Sequence, residues 1–241
     1  MEEALELSDF LPVSFKSPSE RDYVGFLWDV FNSNYDSGKY QFAFLAYHML
    51  TMSFVYFKVW QIRESRNHEF RHGLIGYSKE IEKNLLEASS PFSFSIVNER
   101  SILRFLKLIE CDNGEIGSYA KLVDDRNDSA HPNGNVFYRE AGALEVKIRE
   151  VLRAVGGIQE RSRPVIEACY EQFLRSSTDP DQREFEDDAD QVREVLIHGN
   201  YLSDQDIKVC AAFDMSKFAS DPVNGSAQAL HRALIAGYAE D

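Results

Sequence analysis

The sequence predicts an all-α protein, a helical bundle with a small helical carboxy-terminal extension, and three observations carry that expectation. Apolar residues recur at three- and four-residue spacing in several windows, as one face of a helix requires. The stretch from Tyr40 to Trp60 is apolar almost throughout. Runs rich in Asn, Ser, Asp, Gly and Pro, which favour turns, separate these windows.

Residues 1–20 contain Pro12 and Pro18 with no sustained period, and they read as an irregular lead-in strapped to the surface. A helix begins near Ser19. Tyr23, Phe26, Leu27, Val30 and Phe31 mark its apolar face, and the polar run at 32–38 ends it. Tyr40 to Trp60 is long enough to span a bilayer, but it carries Gln41, His48 and Lys58 and lacks a basic flank confined to one side. It is therefore expected to be a central core helix, with no membrane involved. Leu74, Tyr77, Ile81 and Leu85 predict an amphipathic helix ending near Ala88, closed by Ser89-Ser90-Pro91, and 95–110 repeats the pattern through Ile96, Ile102, Leu103, Leu106 and Ile109. Asp112-Asn113-Gly114 is a turn. The next helix, carrying Tyr119, Leu122 and Val123, should stop at His131, because the residue before a proline resists the α region and Pro132-Asn133-Gly134 is loop chemistry. Residues 139–174 predict two helices divided around Gly156-Gly157. Together 21–175 make the main bundle, 176–190 an acidic linker or loop serving solubility, and 191–241 an extension of two or three short helices. There is no convincing internal repeat and no glycine-rich phosphate loop.

A chain of 241 residues with 44% hydrophobic content can bury a substantial core. Its formal charge of −14 repels polyphosphate on average, which disfavours sequence-independent binding to long DNA and confines any nucleic-acid contact to a local site. Cys111, Cys169 and Cys210 are widely spaced in apolar surroundings and read as core residues in a reducing compartment. The acidic start Met-Glu-Glu-Ala-Leu-Glu does not resemble an export signal, so a cytoplasmic location is expected.

One segment has chemical content: Arg126-Asn127-Asp128-Ser129-Ala130-His131. On a helix, Asn127 and His131 share a face, and Arg126 lies about 140° round from His131, within reach of its long side chain. The three can frame one phosphate. Arginine offers a permanent fork-shaped charge for a non-bridging oxygen. A histidine at a helix carboxy terminus feels the negative end of the dipole and suits proton transfer near neutral pH. That combination points to metal-free RNA cleavage by the 2′-hydroxyl, with no cofactor and no metal.

The segment resembles the signature of the HEPN superfamily: an Arg, four to six residues and a His, often with Asn directly after the Arg. The resemblance covers 21–175 in architecture but only a handful of residues in motif. It implies a helical-bundle, metal-independent endoribonuclease in a toxin–antitoxin or phage-defence setting, working as a homodimer whose two motifs share one cleft. Arg126, Asn127 and His131 are the catalytic candidates. RNA is the implied partner, a folded target such as tRNA included, and an antitoxin or regulatory protein is a further one. The His-any-Tyr pattern of some such toxins is absent, since Asn133 stands where the Tyr would be, and Tyr138 is too far along to replace it.

Three other Arg–His pairs fit the bare spacing: Arg63 with His68, Arg66 with His72, and Arg193 with His198. Only Arg66 is also followed by Asn, and it lies too early, just after the core helix. His68, Glu69 and His72 could be imagined as metal ligands, but a polar helix start explains them better. Arg193 and His198 are retained as secondary candidates at a helix end before Gly199. Two readings without catalysis remain open: a HEPN-like dimerisation or partner-binding module in a defence or regulatory complex, and an antitoxin or immunity protein whose acidic face covers a basic enzyme.

Overall fold

The computed structural model describes residues 2–132, 134–221 and 223–238. Among these the chain is an all-α bundle without strands; its only β feature is an isolated bridge between Pro12 and Ser203. The first long helix, Pro18–Asp36, starts where Ser17 accepts the Ser19 amide and the Glu20 carboxylate accepts the Ser17 N–H at 3.1 Å, with Pro18 at the first helical position. It ends before Gly38, whose φ of +70° turns the chain into the central helix, Tyr40–Ser65. A link this short makes the two helices a hairpin.

The central helix is buried nearly all round; it has the length and hydropathy of a membrane span, with 78% of its most apolar window buried inside the fold. Against it Pro18–Asp36 presents Val24, Leu27 and Phe31, not the wider face expected from sequence. Phe26 is 60% and Tyr23 39% exposed. The helix carries two adjacent apolar strips, and its neighbour covers one.

The lead-in differs more. Glu2–Leu5 and Glu6–Phe10 are short helical turns that bury Ala4, Leu7 and Leu11, and the Val13 amide donates to the Leu202 carbonyl at 3.0 Å. Its apolar residues make it part of the core, and its prolines only set its path. The expected helix over 95–110 is three pieces, Pro91–Ile96, Glu99–Leu103 and Arg104–Ile109, because Asn98 accepts the Ser101 amide at 2.9 Å and starts a new helix there. Of the helix expected through Leu74, Tyr77, Ile81 and Leu85 only Lys79–Leu86 forms; Leu74 and Tyr77 lie in the turn that joins it to the separate helix Asn67–Gly73.

Instead of two helices divided at Gly156-Gly157, one helix runs from Ala141 to Ser177, through both glycines and through Pro164. Gly157 is a packing position: a Cβ there would lie 3.2 Å from the Tyr119 hydroxyl. This helix joins two apolar clusters, the first including its Val165 and the second beginning at Ile166. The acidic stretch after it is tied down by the buried Gln191, whose Oε1 accepts the Phe185 amide at 2.8 Å and whose Nε2 donates to Ser177 Oγ at 2.8 Å. Beyond it a π-helical turn, Val192–His198, and the helices Asp204–Ala211 and Asn224–Tyr238 enclose the second cluster. The three cysteines are unpaired and buried.

Candidate functional site

The motif lies at the end of the helix Asn113–Ala130, which a reciprocal cap initiates: Asp112 accepts the Glu115 amide at 2.8 Å, and Glu115 accepts the Asp112 amide at 2.7 Å. Successive residues of a helix point about 100° apart, so the run Asp124-Asp125-Arg126 reaches different neighbours. Asp124 pairs with Arg100, Asp125 with Lys147 of the long helix at 2.9 Å, and Arg126 with Glu99. These three pairs fix the rotation of the motif helix.

Glu99 is the residue that organises the site. Its Oε1 accepts from Arg126 Nη2, and its Oε2 lies 3.1 Å from Nε2 of His48, a histidine buried in the central helix. Burial works to raise the Glu99 carboxyl, but the hydrogen bonds and charges of His48 and Arg126 outweigh it and hold the carboxyl below its ordinary range. Glu99 is therefore an ionised carboxylate that fixes one edge of the Arg126 guanidinium. Arginine has five N–H donors, and with its side chain 31% exposed Arg126 keeps donors available to a ligand.

Arg126 and Asn127 open together onto a concavity of about 480 Å³, bordered also by Asn98, Arg100 and Tyr56. His131 is not among its lining residues. The helix stops at this residue, as the following proline requires: His131 has extended angles, φ −82° and ψ 143°, while its amide still donates to the Asn127 carbonyl at 3.0 Å. Its imidazole is exposed and makes no hydrogen bond or ion pair among the described residues. The structure thus brings Arg126 and Asn127 to one hollow and leaves His131 outside its lining, exposed to solvent.

Gln41, at the start of the central helix, secures both sides of the loop that holds His131. Its Nε2 donates to the Ser129 carbonyl at 2.7 Å, and its Oε1 accepts the Phe137 amide at 3.0 Å. Asn133 lies outside the described residues. Tyr138 is buried against Phe44, with ring centres 4.8 Å apart, and burial pushes its hydroxyl up to about 12.

The other Arg–His pairs have structural work. Arg63 is buried, stacks on Trp60 at 3.8 Å and donates to the carbonyls of Leu85 and Ala88; Arg66 donates to the Leu108 carbonyl. The His68 and His72 rings sit 4.5 Å apart, and among the described residues no three His, Cys, Asp or Glu side chains gather as metal ligands. Arg193 is engaged by Asp190 and Glu194, His198 ends the π-helical turn, and neither borders the concavity of Arg126. Sequence reasoning missed Glu99 and His48. The available cue was a histidine among the few polar residues of the central helix.

No protein-family model matches the chain, and no curated protein or solved structure matches it either.

Proposed function

We propose that the protein is a metal-independent endoribonuclease of HEPN type, in a toxin–antitoxin or phage-defence setting. The observation that carries this reading is the hollow onto which Arg126 and Asn127 open, with Arg126 held by Glu99 and, at the end of the same helix, an exposed His131 that has no partner among the described residues. Arg126 directs its remaining N–H groups at a non-bridging oxygen, where charge grows as the 2′-oxygen attacks phosphorus. Asn127 positions the phosphate. The bond from phosphorus to the 5′-oxygen breaks, leaving a 2′,3′-cyclic phosphate and a 5′-hydroxyl. One proton leaves the 2′-hydroxyl and one arrives at the 5′-oxygen, and His131 performs one of these transfers. Two transfers and one motif histidine per chain favour a homodimer whose two motifs face the same phosphate.

The test is incubation of purified protein with total RNA, tRNA included, in EDTA, comparing wild type with Arg126→Ala and His131→Ala. Cleavage to 2′,3′-cyclic ends that both substitutions abolish is the expected result. The second reading, a non-catalytic dimerisation or partner-binding module, has one observation in its favour: Glu99 already satisfies part of Arg126. Intact RNA with folded wild-type protein, copurifying with a protein partner, would select it.

A further inference from the structure

A second concavity, of about 460 Å³, adjoins the first, and the two share Tyr56, Ser95 and Glu99 as lining residues. Their chemistry differs. Arg100, Arg126 and Asn127 belong to the first only, whereas the second has no Lys, Arg or His in its lining. Its walls are the aromatic rings of Tyr23, Tyr56 and Phe92 with the thioethers of Met49 and Met52. Phe92 meets both tyrosines edge-on, at 5.2 Å and 6.3 Å between ring centres, and so braces them.

The carboxylates at this hollow are already committed. Glu20 accepts the Ser17 amide at 3.1 Å and the Tyr201 hydroxyl at 3.0 Å, while Glu99 is occupied by Arg126 and His48. The hydroxyls of Tyr23, Tyr56 and Ser95, in contrast, have no hydrogen-bond partner among the described residues. Burial pushes the Tyr56 hydroxyl up to about 12, so it stays a proton donor at neutral pH.

A hollow bearing arginines, beside an aromatic and hydroxyl-bearing one whose two carboxylates are already bonded within the protein, matches the two halves of a nucleotide, an anionic phosphate and an uncharged flat base. We propose that the pocket of Tyr23, Tyr56, Phe92 and Met49 is a nucleobase subsite, which takes an unpaired base of single-stranded RNA next to the phosphate held by Arg126. The inference rests on the nuclease reading and adds its specificity. A base entering this pocket must leave its stack, so the substrate is a loop or an unpaired strand, and paired RNA is excluded. Tyr56, shared by both hollows, places the stacked base directly beside the phosphate.

The experiment measures binding by fluorescence anisotropy with a short 2′-O-methyl RNA strand, whose blocked 2′-oxygen prevents cleavage. It is compared with the same strand made abasic at one position and with its duplex. Base–aromatic stacking predicts that the abasic change weakens binding about 5- to 150-fold, with the duplex at least as weak. Tyr56→Leu should cost the intact strand a similar factor and leave the abasic strand unchanged. Met49→Trp, at a rim position that is 40% exposed, fills the pocket without entering the core and should act the same way if Tyr56→Leu fails to fold. Equal binding of intact and abasic strands, or indifference to both substitutions, overturns the subsite even if RNA is cleaved in EDTA. Base-dependent binding with total RNA left intact in EDTA keeps the subsite and sinks the nuclease, absence of binding to every strand sinks the subsite, and absence of binding together with intact total RNA sinks both.

Discussion

Lys58 and His48 stand on the same helix, and each meets a carboxylate brought from elsewhere in the chain. Around Lys58 the node is closed to solvent, although Gln61 Oε1 and Gln159 Oε1 have no hydrogen-bond partner among the described residues. Its Nζ lies 2.6 Å from Asp206, whose oxygens also accept from Gln61 at 3.0 Å and Gln159 at 2.8 Å, and all four residues are buried. Around His48 the node is open: the buried histidine meets a carboxylate that in turn holds Arg126, which faces a hollow. A cation sealed from solvent beside its carboxylate can only hold the fold together. One that is held on a single edge is positioned and still able to bind. The difference between the nodes is therefore one of access to solvent, and it separates architecture from function where residue type does not.

The largest way to test that division is Asp206→Ala, which leaves Lys58 buried without a counter-charge. It should lower stability by about 3–5 kcal/mol, read from the midpoint of urea unfolding. The double variant Lys58→Met, Asp206→Leu should recover most of the loss, and a single variant as stable as wild type would show that the closed node is dispensable. Arg126→Ala makes the opposite demand. Cleavage should fall by at least about 100-fold, while stability changes by under about 1 kcal/mol, since the pair it breaks is partly solvated. A large stability loss there would move Arg126 into the architectural class.

Glu99→Gln tests the join between the two roles. The amide keeps the shape but loses the charge that anchors the guanidinium, so cleavage should drop about tenfold, with Arg126→Ala adding little on top. Additive effects in the double variant would mean that Glu99 acts on something other than Arg126. The closed node also sets a pH dependence. Burial works to raise the Asp206 carboxyl, but Lys58 and the two amides overcome it, and its folded pKa lies below the ordinary value. Its unfolded value is about 3.9, so its contribution is complete above that pH and is lost as pH falls through the lower folded value. Unfolding midpoints measured from pH 7 down to 3 should decline below about pH 4, and less so in the Lys58→Met, Asp206→Leu variant. Smallest is Gln41→Ala, which loosens the His131 loop and should slow cleavage about threefold, the worth of a typical hydrogen bond; an unchanged rate would mean that the loop needs no such fastening.

Much of the bundle was legible because its signals are local. The composition of Tyr40 to Trp60 marked the core helix, and Pro132 marked the stop at His131. The glycine pair at 156–157 misled for a physical reason: two glycines weaken a helix by roughly 1 kcal/mol each, but Gly157 is where Tyr119 approaches, and packing outweighs that local cost. Arg126 and Asn127 could be read from their spacing, while Glu99 and His48 could not, since tertiary folding alone brings them together across 27 and 51 residues. The three polar residues that argued against a membrane span did contain information. Gln41 fastens the motif loop, His48 backs Glu99, and Lys58 anchors Asp206.

The contacts of Tyr201 and its neighbours have a consequence for the order in which the molecule is made. A ribosome delivers the amino-terminal lead-in first, the motif midway and residues 201–203 much later. Yet Glu20 takes a hydrogen bond from Tyr201, Val13 donates to Leu202, and Pro12 bridges Ser203. Until those late residues emerge, the Glu20 wall of the aromatic hollow lacks its last fastening. A nascent chain that already contains Arg126 and His131 therefore holds an unfinished pocket, and the completion of that pocket is deferred until residues 201–203 have been made.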